Sequence, residues 1–178
     1  TLYLFAQNGG GAAASELAVD TLWATSYSLK SIQGLEPAVP VEIPKTLAAA
    51  MILRDRPEID RNRIIYAGES NGGRSAIIAC ALDKKARGVL AISTCGYSTA
   101  SAIASAAGAI DSDSARFYLS IDPESYLQDI SPRPLVMIHS RNDTIIPYSL
   151  AEQTYALALE PKSLHTVGCA THGYCREM

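Results

Sequence analysis

The sequence contains no apolar run approaching the roughly 20 residues that span a bilayer as a helix. It also has no Lys/Arg run and no basic stripe. Fifteen Lys and Arg stand against 18 Asp and Glu, giving a formal net charge of −3 and a pI near 5.6. That balance argues against nucleic acid and against an anionic membrane surface as partners. Leu2–Ala6 is too short for a secretory leader and lacks a basic start, which leaves cytoplasmic and bacterial secreted settings both open. No internal repeat, linker or shift of composition divides the chain. What is present is core material: 178 residues with 48% hydrophobic content predict one domain spanning 1–178 with a sizeable interior.

Strands and helices alternate along the chain. Leu2–Ala6 reads as an apolar strand running into Gln7-Asn8-Gly9-Gly10-Gly11. Ala12–Lys30 is helical or irregular, with Trp23 and Tyr27 as packing aromatics, and the Pro-interrupted segment 35–41 is the least readable. Pro44–Arg56 has helical character, with Leu47, Ala48, Met51 and Ile52 as its apolar face. Strands follow at 63–67, 88–93, 134–139 and 163–167, with helices after Ser70 and near 148–159. Residues 96–130, rich in Ala and Ser, read as a small cap-like excursion from the sheet. Continuous apolar strands separated by helices predict an α/β protein with a mostly parallel central sheet and helices on both faces. In such sheets ligands bind beyond the carboxyl ends of the strands.

Gly68-Glu69-Ser70-Asn71-Gly72 sits at one of those ends, between a β-rich run and a helix-forming run. It fits Gly-x-Ser-x-Gly. A serine on so tight a turn projects its hydroxyl above the sheet, and bulkier neighbours than glycine would clash there. The helix N-terminus beyond it offers free N–H groups and a positive dipole end to a developing anion. Asp143 and His172 follow two later strands. A serine hydroxyl is a poor nucleophile at neutral pH, so a base must take its proton. Histidine, with an unperturbed pKa of about 6.5, suits that task. A carboxylate on the other ring nitrogen fixes the tautomer and offsets the charge gained.

The serine–acid–histidine order and these flanks resemble the α/β-hydrolase superfamily. The elbow Gly68–Gly73 looks like that of serine esterases. Residues 131–147 are similar to the acid-bearing strand of dienelactone-hydrolase-like, polyhydroxybutyrate-depolymerase-like and prolyl-oligopeptidase-like members, which carry His-Gly-x-x-Asp-x-x-Val-Pro there. Ser140 stands in place of that glycine and Ile146 in place of the valine. The resemblance implies a compact or truncated α/β-hydrolase fold, Ser70 as nucleophile, Asp143 as acid and His172 as base. Asn8-Gly9-Gly10-Gly11 looks like the oxyanion loop of the family, with Asn8 where histidine is usual. Asn71 and Gly9 or Gly10 would then supply the backbone donors that hold the oxyanion. The expected activity is hydrolysis of a small-molecule carboxylic ester through an acyl-enzyme, without cofactor or metal. A peptidase or thioesterase on the same residues is the nearest alternative, and a catalytically silent binding protein of the same fold is the different-class one.

Other patterns compete. Gly9-x-Gly11-x-x-Ala14 fits a dinucleotide fingerprint, but the acidic residue wanted about 20 positions on is missing: Asp20 comes too early and Glu36 precedes a proline. His165, Cys169, His172 and Cys175 could ligate a metal, though at no standard zinc spacing and at the cost of the only good base. A disulfide between Cys169 and Cys175 would pin the loop of His172, a pairing that spacing leaves open. Cys80 reads as packing and Cys95 as pocket lining. His139, at a strand end close to Asp143, reads as a structural hydrogen-bonding residue, as does His165 within its strand. Asp111, Asp113 and Asp122 read as solvated, and Asp129 precedes its strand where a catalytic acid follows one. Glu69 is expected to point away from Ser70, toward Arg74. Asn142-Asp143-Thr144 is a formal glycosylation sequon, and a glycan beside the acid argues against a eukaryotic secretory route. The chain starts on the strand of the oxyanion loop and stops six residues past His172, as a minimal member or a fragment would; a fragment would favour self-association or a partner domain.

Overall fold

The computed structural model describes residues 3–6, 42–170 and 172–178, with the backbone alone at 3–6 and 42. The elements are β1 (Tyr3–Ala6), α1 (Glu42–Arg54), β2 (Ile65–Glu69), α2 (Asn71–Leu82), β3 (Val89–Ile92), α3 (Thr99–Ser105), α4 (Ser112–Ile121), a 3₁₀ segment (Pro123–Asp129), β4 (Leu135–Ser140), α5 (Tyr148–Leu157) and β5 (Lys162–Val167). The five strands form one sheet in the order β1-β2-β3-β4-β5, every neighbour pair parallel. The expected parallel α/β architecture is therefore present, with strand ends shifted by a residue or two.

Register decides which side chains face the helices. Tyr66 pairs with Val89, Val89 with Leu135, Ala91 with Met137. Because registered partners share a face of the pleat, these residues make one buried surface. Parallel crossovers turn right-handed, so strands added in one direction receive their helices on the same side. Accordingly Ala76, Ile77, Ala79, Cys80 and Ala81 of α2 join Leu127, Ile130, Ala151 and Ala158 over that surface in a single core. Burying each isoleucine of α2 contributes about 1.5–3 kcal/mol. On the other face Leu90, Ile92, Val136 and Ile138 are half-buried.

Two expectations fail here. The inward face of α1 is Ile43, Thr46, Ala49 and Ala50 with Leu47 packed against the core as expected, whereas Ala48 is exposed and Met51 and Ile52 are 65% and 61% exposed. The helix packs through Ile43 and Leu47 together with Ala49 and Ala50, so Ala48, Met51 and Ile52 are the expected residues that turn outward. Asp122 is not solvated but 1% exposed. Its carboxylate accepts the backbone N–H groups of Tyr97, Thr99 and Glu124, capping the 3₁₀ segment while fixing the loop after β3. Asp111, by contrast, is an exposed N-cap accepting from Asp113 and Ser114. The 3₁₀ segment returns residues 96–130 to the core through Leu127.

At the opposite end of the sheet from the strand tips, Asp83 accepts from Arg54 Nη2 at 2.5 Å and from the Tyr66 hydroxyl at 2.8 Å. Burial raises the Asp83 pKa, but the donors Arg54, Tyr66 and the Lys85 N–H outweigh it and hold the carboxyl below its ordinary value. A depressed folded-state pKa means this contribution is complete above the unfolded value of about 3.9 and is lost as pH falls through the folded one. Asp83→Ala is expected to cost about 3 kcal/mol at neutral pH, because Arg54 is left without its counter-charge. Urea unfolding should show that difference shrinking as the pH is taken below about 4.

Candidate active site

The turn at Ser70 is strained by its surroundings. β2 ends at Glu69, α2 starts at Asn71, and Ser70 between them has φ 54° and ψ −120°. A non-glycine residue holding such dihedrals stores about 1–3 kcal/mol, which neighbouring bonds must offset. The Ser70 N–H donates to Ile92 O at 2.8 Å. The Ser70 carbonyl accepts from Gly73 N–H at 3.0 Å and from the Thr94 hydroxyl at 2.7 Å. The glycines are required by contact. A Cβ on Gly68 would lie 2.1 Å from Gly72 O, and one on Gly73 would lie 2.7 Å from Thr94 Cγ2. Thr94 was not foreseen from sequence; its position just past the end of β3 was the available signal.

Asp143 is held in the turn after β4. Its Oδ1 accepts the N–H groups of Ile145 and Ile146, each at 2.9 Å. Its Oδ2 lies 2.9 Å from His172 Nδ1. Burial pushes the Asp143 pKa up, but the Ile146, His172 and Ile145 donors together bring it below the ordinary carboxylate value. The other ring nitrogen of His172, Nε2, lies 2.8 Å from Ser70 Oγ. Ser70, His172 and Asp143 thus stand in one hydrogen-bonded line, although 102 residues separate the first two in sequence. Such a line can take a proton from the hydroxyl and stabilise the resulting imidazolium.

The loop carrying His172 is tied at several points. Cys169 and Cys175 form a disulfide, closing the pairing that spacing had left open. The same bond takes up two of the sulfurs in the alternative metal set. Ser140 Oγ donates to Cys169 O and accepts the Asn142 N–H. Asn142 Nδ2 donates to Gly168 O at 2.7 Å, and Arg141 N–H to Val167 O at 3.0 Å. Ser93 Oγ donates to Gly173 O, and the Glu69 side chain packs on Gly173. The bonding roles of Ser93, Ser140 and Asn142 escaped sequence reading, though each lies at or just past a strand's carboxyl end.

Of the remaining expected residues, Asn71 is the first residue of α2, where first-turn N–H groups have no intrahelical partner. Gly9, Gly10 and the dinucleotide-like fingerprint lie outside the described residues, as do Trp23 and Tyr27. Arg74 does not reach for Glu69: its Nε donates to Cys95 O at 2.8 Å and its guanidinium lies over the Tyr97 ring. Cys95 is buried beneath it, and burial pushes its thiol pKa up. Asp129 meets Lys84 at the surface, and His165 is exposed on β5. Among the described residues no helix is long and apolar enough to cross a membrane.

The sequence profile of the acetyl xylan esterase (AXE1) family matches residues 44–128. A protein of Escherichia coli O157:H7, YfhR, described as uncharacterized, is 30% identical over 131 residues, covering 71% of this chain and 44% of YfhR. The chain thus spans less than half the length of that relative. Est1E from Butyrivibrio proteoclasticus superposes with TM-score 0.62 at 17% identity, over 96% of this chain and 78% of Est1E. Acetyl xylan esterase 1 from Thermoanaerobacterium sp. JW/SL YS485 does so with TM-score 0.58 at 19% identity, over 75% of this chain and 48% of the esterase. The chain shares the fold of these solved structures, and its residues 44–128 are similar in sequence to the acetyl xylan esterase (AXE1) family.

Proposed function

We propose that this chain carries the catalytic residues of a serine carboxylic-ester hydrolase. What supports the reading most is the unbroken line from Ser70 Oγ through His172 to the buried Asp143 carboxylate. Ser70 Oγ attacks the acyl carbon while His172 Nε2 takes its proton. The carbonyl oxygen becomes an oxyanion, held by the Asn71 N–H and a second donor from Gly9 or Gly10. Collapse expels the alcohol, which receives the proton from His172. Water then attacks the acyl-Ser70 ester, giving up its proton to His172 and releasing the acid. Asp143 keeps Nδ1 protonated and balances the imidazolium in both halves. No cofactor enters. The similarity to acetyl xylan esterases favours a small acyl group, acetyl first, on a small-molecule or saccharide alcohol. In this reading residues 1–178 act as one catalytic domain, and the segment 96–130 shapes the acyl or alcohol pocket.

With p-nitrophenyl acetate, Ser70→Ala should lower turnover by at least about 10³-fold and abolish labelling by a fluorophosphonate. Unchanged turnover in that variant would remove the mechanism. Asp143→Asn should lower kcat by about 10⁴-fold, since the amide favours the wrong histidine tautomer. Longer acyl chains should be poorer substrates than acetyl, read from kcat/KM across a p-nitrophenyl series.

The Cys169–Cys175 bridge makes a further expectation. It closes a short loop around His172 and should contribute about 2 kcal/mol through the unfolded chain. The double variant Cys169→Ser/Cys175→Ser should therefore unfold at lower urea. It should also lose kcat more than KM, because the base is less well placed.

A further inference from the structure

His139 is 0% exposed, yet it lies next to the last residue of β4 beside the acid turn and carries two nitrogens into the interior. Its Nε2 lies 2.9 Å from Ile146 O and 3.5 Å from Asp143 Oδ2. A carbonyl and a carboxylate only accept, so Nε2 must bear the hydrogen. Its Nδ1 has no hydrogen-bond partner among the described residues. A leucine would fill similar volume without burying an unpaired nitrogen, so packing is a poor account of this side chain. The edge-on Tyr148 ring, 6.0 Å away, adds an apolar wall and no polar partner for Nδ1.

We propose that His139 is the positioning residue for Asp143. Resting on the serine mechanism above, it acts through the acid and touches neither substrate nor the reacting atoms. The geometry makes the link specific. Ile146 is gripped at both ends of its peptide groups: its N–H by Asp143 Oδ1, its C=O by His139. Oδ2, the oxygen nearer His172 Nδ1, is also the one that faces His139 Nε2. Oδ1 is therefore fixed by two backbone donors with His172 Nδ1 3.1 Å away, and Oδ2 stands between the two imidazoles. Drift of the 143–146 turn has to break the bond from His139 to Ile146 O. The donor on His139 thus sets the direction in which Asp143 presents itself to His172.

Glutamine can place an amide donor near the position of Nε2, whereas asparagine places one near Nδ1. With p-nitrophenyl acetate, His139→Asn and His139→Leu should lower kcat by about 10- to 100-fold with KM nearly unchanged, and His139→Gln should recover most of it. Equal activity in the Asn and Gln variants, or wild-type activity in all three, overturns the proposal. In ¹⁵N-labelled wild-type protein the His139 ring proton should sit on Nε2; a proton on Nδ1 with a bare Nε2 overturns it without any variant. Ser70→Ala, run alongside, separates the two readings. Turnover that survives it removes the serine mechanism and the positioning role together, whereas turnover lost there but kept in His139→Asn removes the positioning role alone.

Discussion

Parallel pairing of β2, β3, β4 and β5 brings the ends of those strands to one rim. Glu69 lies opposite Ile92, Ile92 opposite Ile138, and Ser140 opposite Val167. The residues that follow are therefore neighbours whatever their distance in sequence. Ser70 comes one position after β2, Ser93 one after β3, Asp143 three after β4 and His172 five after β5. The loops need little length to converge, and the strained turn at Ser70 becomes tolerable. Its N–H finds the end of β3, and its carbonyl finds Thr94 on the loop beyond. The dihedral strain is local, but the bonds that hold it come from the adjacent strand, so the nucleophile's geometry is a property of the sheet.

Burying a carboxylate is costly, and the Asp143 site meets that cost with donors. Two backbone N–H groups take Oδ1, and the His172 Nδ1 lies 2.9 Å from Oδ2 and 3.1 Å from Oδ1. Their joint effect exceeds the desolvation that works against the charge, so the group stays ionised where an isolated buried acid would hold its proton. Charge retention matters to the proposed chemistry: only an anion fixes the Nδ1–H tautomer and answers the imidazolium. Asp122 and Asp83 solve the same physical problem for structure alone, with backbone donors at one and Arg54 and Tyr66 at the other.

Sequence was informative where chemistry and periodicity coincide. Strand, turn and helix around Ser70, the acid after β4 and the histidine after β5 were readable because each pairs a strong local pattern with a required residue type. Reading failed where the interior is made of small or polar side chains. On α1 Leu47 was read as inward and packs on the core, but Ile43, Ala49 and Ala50 were missed while Ala48, Met51 and Ile52 drew attention to an exposed face. Asp122-Pro123 did carry a cap signature, an N-cap carboxylate before a proline, but the charge suggested solvent. The Cys169–Cys175 pairing depends on Cα positions that spacing does not define.

Ser140 shows how a departure from a family pattern can carry its own logic. Related acid loops have glycine there, which leaves the peptide free to bend but offers nothing to its neighbours. A serine hydroxyl at the same place accepts from Asn142 and donates to Cys169 O. It therefore links the acid turn to the loop that bears His172, and does so at one end of the Cys169–Cys175 bridge. Successive residues of a strand point to opposite faces. His139 accordingly serves the acid turn on the core side, while Ser140 serves the histidine loop on the other. Adjacent positions of β4 thus address the two partners of one hydrogen bond from opposite sides, and the separation of Asp143 and His172 is set by the strand itself.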